Sequence, residues 1–143
     1  MPVVHFHLLQ DALTPEREAA IVTGASQAFA EVLESPVDRI RAFIHAYSGT
    51  RCAVGGVACT DPDHHAPYFE FIVLKGRTTA QQLRLMADFT ALLARVLSVD
   101  PGVIRGRCIR VEPEEWCIAG KSAAEVRKAE IDAREKANAS HET

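Results

Sequence analysis

The chain alternates between two hydrophobic periods. Val3 to Leu9 is β-branched and apolar with His5 and His7 on alternate positions, which predicts a strand with one buried face. Thr14-Pro15-Glu16 then supplies a cap, a proline suited to a first helical turn and an early acid. Beyond it Ile21, Ala25, Ala28, Phe29 and Val32 recur at helical spacing until Ser35-Pro36 stops the helix, and Ile40 to Tyr47 returns to strand character. The same order follows a second time: a strand from Tyr68 to Leu74, a helix from Thr78 to Leu97, a break at Asp100-Pro101, and a strand from Val103 to Val111.

The two halves correspond residue by residue at an offset of about 65 positions, which signals a duplicated unit. With Pro2 laid on Pro67, Leu9 falls on Leu74, and one insertion later Thr14 falls on Thr78 and Val32-Leu33 on Val96-Leu97. Right-handed crossovers make the strands of each β-α-β unit parallel. The predicted fold class is therefore α+β: two tandem β-α-β units forming a four-stranded sheet with both helices on one face. The other face has no helix to cover it, so a further subunit is expected there. The second helix carries two apolar stripes, Leu83-Met86-Ala87-Thr90-Ala94 and Leu85-Phe89-Leu92-Val96, more than one buried face requires.

Residues 1–120 read as one domain, with repeats over 2–57 and 67–120. Residues 121–143 balance basic against acidic side chains in an Ala-rich run and read as a surface helix fraying to a loose end. At 143 residues, 48% hydrophobic and 24% charged, with a formal net charge of −3, the chain suits one globular domain with no overall positive field for nucleic acid or anionic lipid. No apolar run reaches the ~20 residues of a membrane span, and the start lacks a signal peptide's basic and apolar regions. The expected location is the cytoplasm. Cys52, Cys59, Cys108 and Cys117 form no Cys-x-x-Cys pair and read as reduced, mostly buried thiols. Asp61, Asp63, His64 and His65 could ligate a metal, but a solvated connection is the better reading, so neither metal nor organic cofactor is expected.

Candidate chemistry starts at Met1-Pro2. Removal of methionine before this small residue would leave proline as a secondary amine, which apolar walls and nearby cations would hold unprotonated, as a base.

The whole chain, to about Gly120, resembles the tautomerase superfamily, in the 4-oxalocrotonate tautomerase-like form. In the first repeat the likeness lies in Ser35-Pro36-Val37-Asp38-Arg39-Ile40-Arg41 and Val54-Gly55-Gly56. In the second it lies in Leu74-Lys75-Gly76-Arg77 and Trp116-Cys117-Ile118-Ala119-Gly120. The opening Met1-Pro2-Val3 and Gln10-Asp11-Ala12-Leu13-Thr14-Pro15 is similar to the fused double-length cis-3-chloroacrylic acid dehalogenase type, and the Trp116 region to malonate semialdehyde decarboxylase.

The resemblance implies a homotrimer with inward-facing sheets. It implies Pro2 as general base, Arg77 on a substrate carboxylate, Arg41 on the carbonyl or second carboxylate, Arg105 as its counterpart, and Trp116 as an apolar wall. Arg107 stands where the dehalogenase type has tyrosine, Phe29 where it has a helical histidine, and Leu74 at the first of its paired arginines, all of which weigh against dehalogenation. Pro67 has only an amide nitrogen, so one site per chain is expected. The expected activity is a cofactor-independent keto-enol tautomerase, an isomerase of a small 2-oxo or 2-hydroxy carboxylic acid. The alternatives are a hydratase, dehalogenase or decarboxylase of a small three-carbon acid, or an idle trimeric binding protein.

Overall fold

The computed structural model describes residues 2–61 and 63–141. Its elements run β1 Val3–Leu9, α1 Pro15–Leu33, β2 Arg41–Tyr47, the hairpin β3 Ala53–Val54 and β4 Val57–Ala58, β5 Tyr68–Leu74, α2 Thr79–Leu97, β6 Arg105–Val111, a second hairpin β7 Cys117–Ile118 and β8 Lys121–Ser122, α3 Ala123–Val126 and α4 Lys128–His141. The main sheet has the order β2-β1-β5-β6, parallel within each repeat and antiparallel where β1 meets β5.

The duplication extends to details of the backbone. Thr14 Oγ1 accepts from Arg17 N to cap α1, and Thr78 caps α2 in a reciprocal box with Gln81. Each long helix ends on a left-handed residue, Glu34 with φ 52° and Ser98 with φ 55°. Each is followed by a 3-10 turn, Val37–Arg39 and Pro101–Val103, so that β2 and β6 start one and two residues later than their sequence pattern suggests. Arg41 N donates to Pro2 O and Arg105 N to Pro67 O, both at 3.1 Å.

Both long helices lie on one sheet face, over Val4, Phe6, Leu8, Phe69, Phe71 and Val73. Phe89 of α2 sits at the centre of this core, its ring 5.0 Å from Phe29, 5.3 Å from Phe71, 5.7 Å from Phe69 and 5.8 Å from Phe6, each crossed at 71° or more. Such edge-to-face contacts contribute about 0.5–1.5 kcal/mol each beyond area burial. Phe69 also requires Gly106 on β6, since a Cβ there would fall 2.3 Å from its Cζ. Of the two stripes on α2, Leu85, Phe89 and Leu92 are buried; the other is partly packed at Met86 and Ala94 and leaves Leu83 58% exposed.

The opposite face is uncovered in the single chain and is mixed rather than purely apolar. Alternation along the strands brings to it His5, His7, Phe43, His45, Tyr47, Tyr68 and Glu70. His7 and His45 stack at 4.7 Å, His7 Nδ1 is hydrogen-bonded to Tyr47 Oη at 2.6 Å, and Tyr68 Oη donates to Glu70 at 2.7 Å. Burial lowers the pKa of His7, and the adjacent His45 adds to that shift while Glu70 opposes it.

The connection between repeats contains the β3–β4 hairpin, and His64 Nε2 donates to Val54 O at 2.9 Å, which gives that histidine a structural role. No described helix is long and apolar enough to cross a membrane.

Candidate active site

Pro2 lies immediately before β1, fully buried. Leu33 at the end of α1 and Val73 and Leu74 at the end of β5 give its cavity an apolar side. Gly76, with φ 112°, turns the chain from β5 towards α2 and brings Arg77 to the same cavity. The half-buried Arg77 guanidinium donates to Leu33 O at 2.9 Å, satisfying a carbonyl at the end of α1. Burial and the nearby positive Arg134 lower Arg77 to about 10, still cationic at neutral pH.

The rest of the wall comes from outside the two-repeat core. Arg39, from the turn before β2, and Arg127, Glu130, Ile131 and Arg134, from the C-terminal segment, close over Pro2. Arg39 and Glu130 form a bidentate pair at 2.8 and 3.0 Å, which raises the arginine pKa and lowers the glutamate's. Asn138 Nδ2 donates to Gly76 O at 2.9 Å, fixing the far end of α4 beside the Arg77 turn. The cavity left is about 20 Å³. That is room for one water, whereas small-molecule sites usually measure about 300–1,000 Å³.

Arg41 and Trp116 lie next door. They line a second cavity of about 320 Å³ with Val3 and Asp38, and Arg39 and Arg127 border both spaces. Arg41 is exposed, its Nη1 donating to Asp38 O at 2.9 Å and Ile40 O at 3.2 Å.

Arg105 repeats this on the other edge strand, donating to Gly102 O at 2.7 Å and Ile104 O at 3.0 Å. Pairing of Val3 with Ile72 and of Tyr68 and Glu70 with Arg105 and Arg107 puts those two arginines towards the other end of β5 from Pro2. One chain thus brings Pro2 to Arg77 and sets Arg41 and Trp116 beside them, but leaves Arg105 and Arg107 away from this site. Met1, on which the chemistry of the Pro2 nitrogen depends, lies outside the described residues.

The residues missed by sequence reasoning are Arg39, Arg127, Glu130 and Arg134. Their signal was the i, i+3, i+4, i+7 spacing of Arg127, Glu130, Ile131 and Arg134, one stripe of a helix. In the segment expected as a surface helix, Lys121–Ser122 pair as β8 and helix occupies Ala123–Val126 and Lys128–His141, and that stripe is a wall of the Pro2 cavity.

No family model matches the sequence, and no curated protein does. Solved structures do match in three dimensions. Native fused 4-OT superposes with a TM-score of 0.80 at 20% identity, over 87% of this chain and 98% of that one. The chain has the tautomerase fold. The F6 fused 4-OT, solved as an asymmetric trimer, has a TM-score of 0.78 at 24% identity, and Pt0534, solved after inactivation by 2-oxo-3-pentynoate, has 0.79 at 19%, with the same coverage. The likeness extends over both repeats of the tautomerase fold and leaves 13% of this chain without a counterpart.

Proposed function

We propose that this protein is a cofactor-independent keto-enol tautomerase of a small 2-oxo or 2-hydroxy acid, with Pro2 as general base after removal of Met1. The observation that carries this reading is the setting of Pro2: a buried residue between aliphatic side chains and arginines, in a tautomerase fold. Desolvation and like charge both disfavour a protonated amine there, so its pKa falls below that of an exposed terminus. The neutral nitrogen takes a proton from the enol oxygen or the α-carbon and returns it at the other end of the conjugated system. Arg77 holds the carboxylate, and Arg41 stabilises charge developing on the carbonyl oxygen from the adjoining cavity, with Trp116 as that cavity's apolar wall.

The uncovered sheet face, together with the trimeric fused 4-OT of the same fold, supports a homotrimer. Arg105 and Arg107 would then reach a Pro2 site only from a neighbouring subunit.

The reagent that inactivated Pt0534 supplies a test, since 2-oxo-3-pentynoate is an alkyne conjugated to a carbonyl and a free neutral amine adds to it. Incubation at neutral pH should add one reagent mass, mapped by peptide sequencing to Pro2, with loss of tautomerase turnover. Labelling at cysteine alone, with Pro2 unmodified, would overturn the reading.

A further inference from the structure

The Pro2 cavity is lined by four guanidinium groups and a single carboxylate. Arg39 is matched by Glu130. Arg77, Arg127 and Arg134 have no ion-pair partner among the described residues, and Arg127 Nε is shut away from solvent with nothing to donate to. Burial lowers the pKa of both Arg77 and Arg134, the charge of Arg134 adding to the shift at Arg77 and Glu130 opposing it at both, so these cations are short of water with one carboxylate between them. A buried donor left unmatched is costly, and an arriving carboxylate with several lone pairs relieves it.

The space itself is too small for such a guest while α4 stays in place. The helix is nevertheless held by two polar contacts, the Arg39–Glu130 pair and the Asn138 to Gly76 bond, and by the half-buried Ile131, and none of its described side chains is fully buried. Residue Arg127, with φ −114°, separates it from α3 and provides a joint. Glu130 is thus a tethered carboxylate held by one of the arginines that a free carboxylate would seek.

We propose that α4 is part of the substrate site, with Arg127 and Arg134 binding the substrate's acid group and Glu130 holding that acid's place at Arg39 until substrate displaces it. This rests on Pro2 and Arg77 marking the substrate site, and it adds to that reading three specificity-determining residues from outside the two β-α-β repeats.

Binding of malonate, a carboxylate probe that needs no turnover, tests it by calorimetry on the full-length protein. Glu130→Gln removes the internal competitor and should tighten malonate about tenfold, whereas Glu135→Gln, an equal charge change on an exposed residue of α4, should leave affinity unchanged. Arg127→Ala and Arg134→Ala should each weaken malonate by about tenfold or more, and Arg127→Lys should restore only part of the loss. A gain of affinity in Glu130→Gln cannot come from misfolding, which keeps the test decisive if an arginine variant is unstable. Equal malonate affinity in the wild type and in the Glu130 and Arg127 variants would overturn the proposal, as would equal tightening by Glu130→Gln and Glu135→Gln. Because the readout is binding, a protein that shows the expected pattern yet turns over no enol would uphold the role of α4 and refute the tautomerase reading alone.

Discussion

Replacing Arg77 by Ala removes two things at once, and the structure separates them. The first is the proposed charge-assisted contact with a substrate carboxylate, which contributes about 1.5–3 kcal/mol, or roughly a ten- to hundredfold change in kcat/KM. The second is the hydrogen bond to Leu33 O at 2.9 Å, whose loss leaves a half-enclosed carbonyl at the end of α1. That costs about 1–3 kcal/mol of stability, partly offset because Arg77 no longer crowds Arg134. For a domain of this size each kcal/mol corresponds to roughly 3–5 °C in Tm.

Steady-state kinetics on phenylenolpyruvate and on its methyl ester, beside a thermal melt, distinguish the two. Arg77→Ala should lose about ten- to hundredfold on the acid and much less on the ester, which has no carboxylate to hold. A twofold or smaller effect on the acid, with the melt lowered, would refute the anchoring role and leave Arg77 as a cap for α1.

Two further outcomes follow from the fold. Phe89→Ala empties the centre of a cluster of four other phenylalanines and should cost about 3–5 kcal/mol in chemical denaturation, with Phe89→Leu much milder. The pKa of His7 is lowered in the folded state, so the unfolded chain binds the extra proton first. Stability from this residue is therefore present above the unfolded value near 6.5 and is lost as pH falls through the lower folded value. Melts between pH 5 and 7.5 should show the wild type losing stability on acidification, and His7→Gln should flatten part of that slope.

The two repeats were legible because their signals are local and occur twice. Thr14 and Thr78 cap their helices, Pro36 and Pro101 follow their ends, and the period-two strands between them fix which face of the sheet is buried. The meeting of Pro2 with Arg77 was legible only through resemblance, since no local pattern says that the first strand's start and the fifth strand's end close one cavity. The docking of the C-terminal segment was not legible: a stripe of Arg127, Glu130, Ile131 and Arg134 looks like a solvated face unless the arginines across from it are known. Arg39 shows the same difficulty. It stands two residues from Arg41, in a motif that drew attention to Arg41, yet from the 3-10 turn over Val37–Arg39 it borders both the Pro2 cavity and the neighbouring one, whereas Arg41 lines only the latter. Arg105 and Arg107 show the limit of arguing by repeat symmetry, which matches the backbone contacts of Arg105 to those of Arg41 and says nothing of which end of the sheet they serve.

The central claim is that the Pro2 nitrogen, as a free amine, moves the proton. Turnover of an enol substrate by protein with Met1 removed should be compared with turnover by protein that retains Met1, after intact mass confirms each form and light scattering confirms the same assembly. Retention converts the amine to an amide that can neither bind nor release a proton at neutral pH, while leaving Arg77 and Arg41 in the sequence. The account predicts that the processed form is active, with a rate rising with pH through a single basic limb, and that the retained form falls to the level of the uncatalysed reaction. Equal rates in the two forms would contradict it.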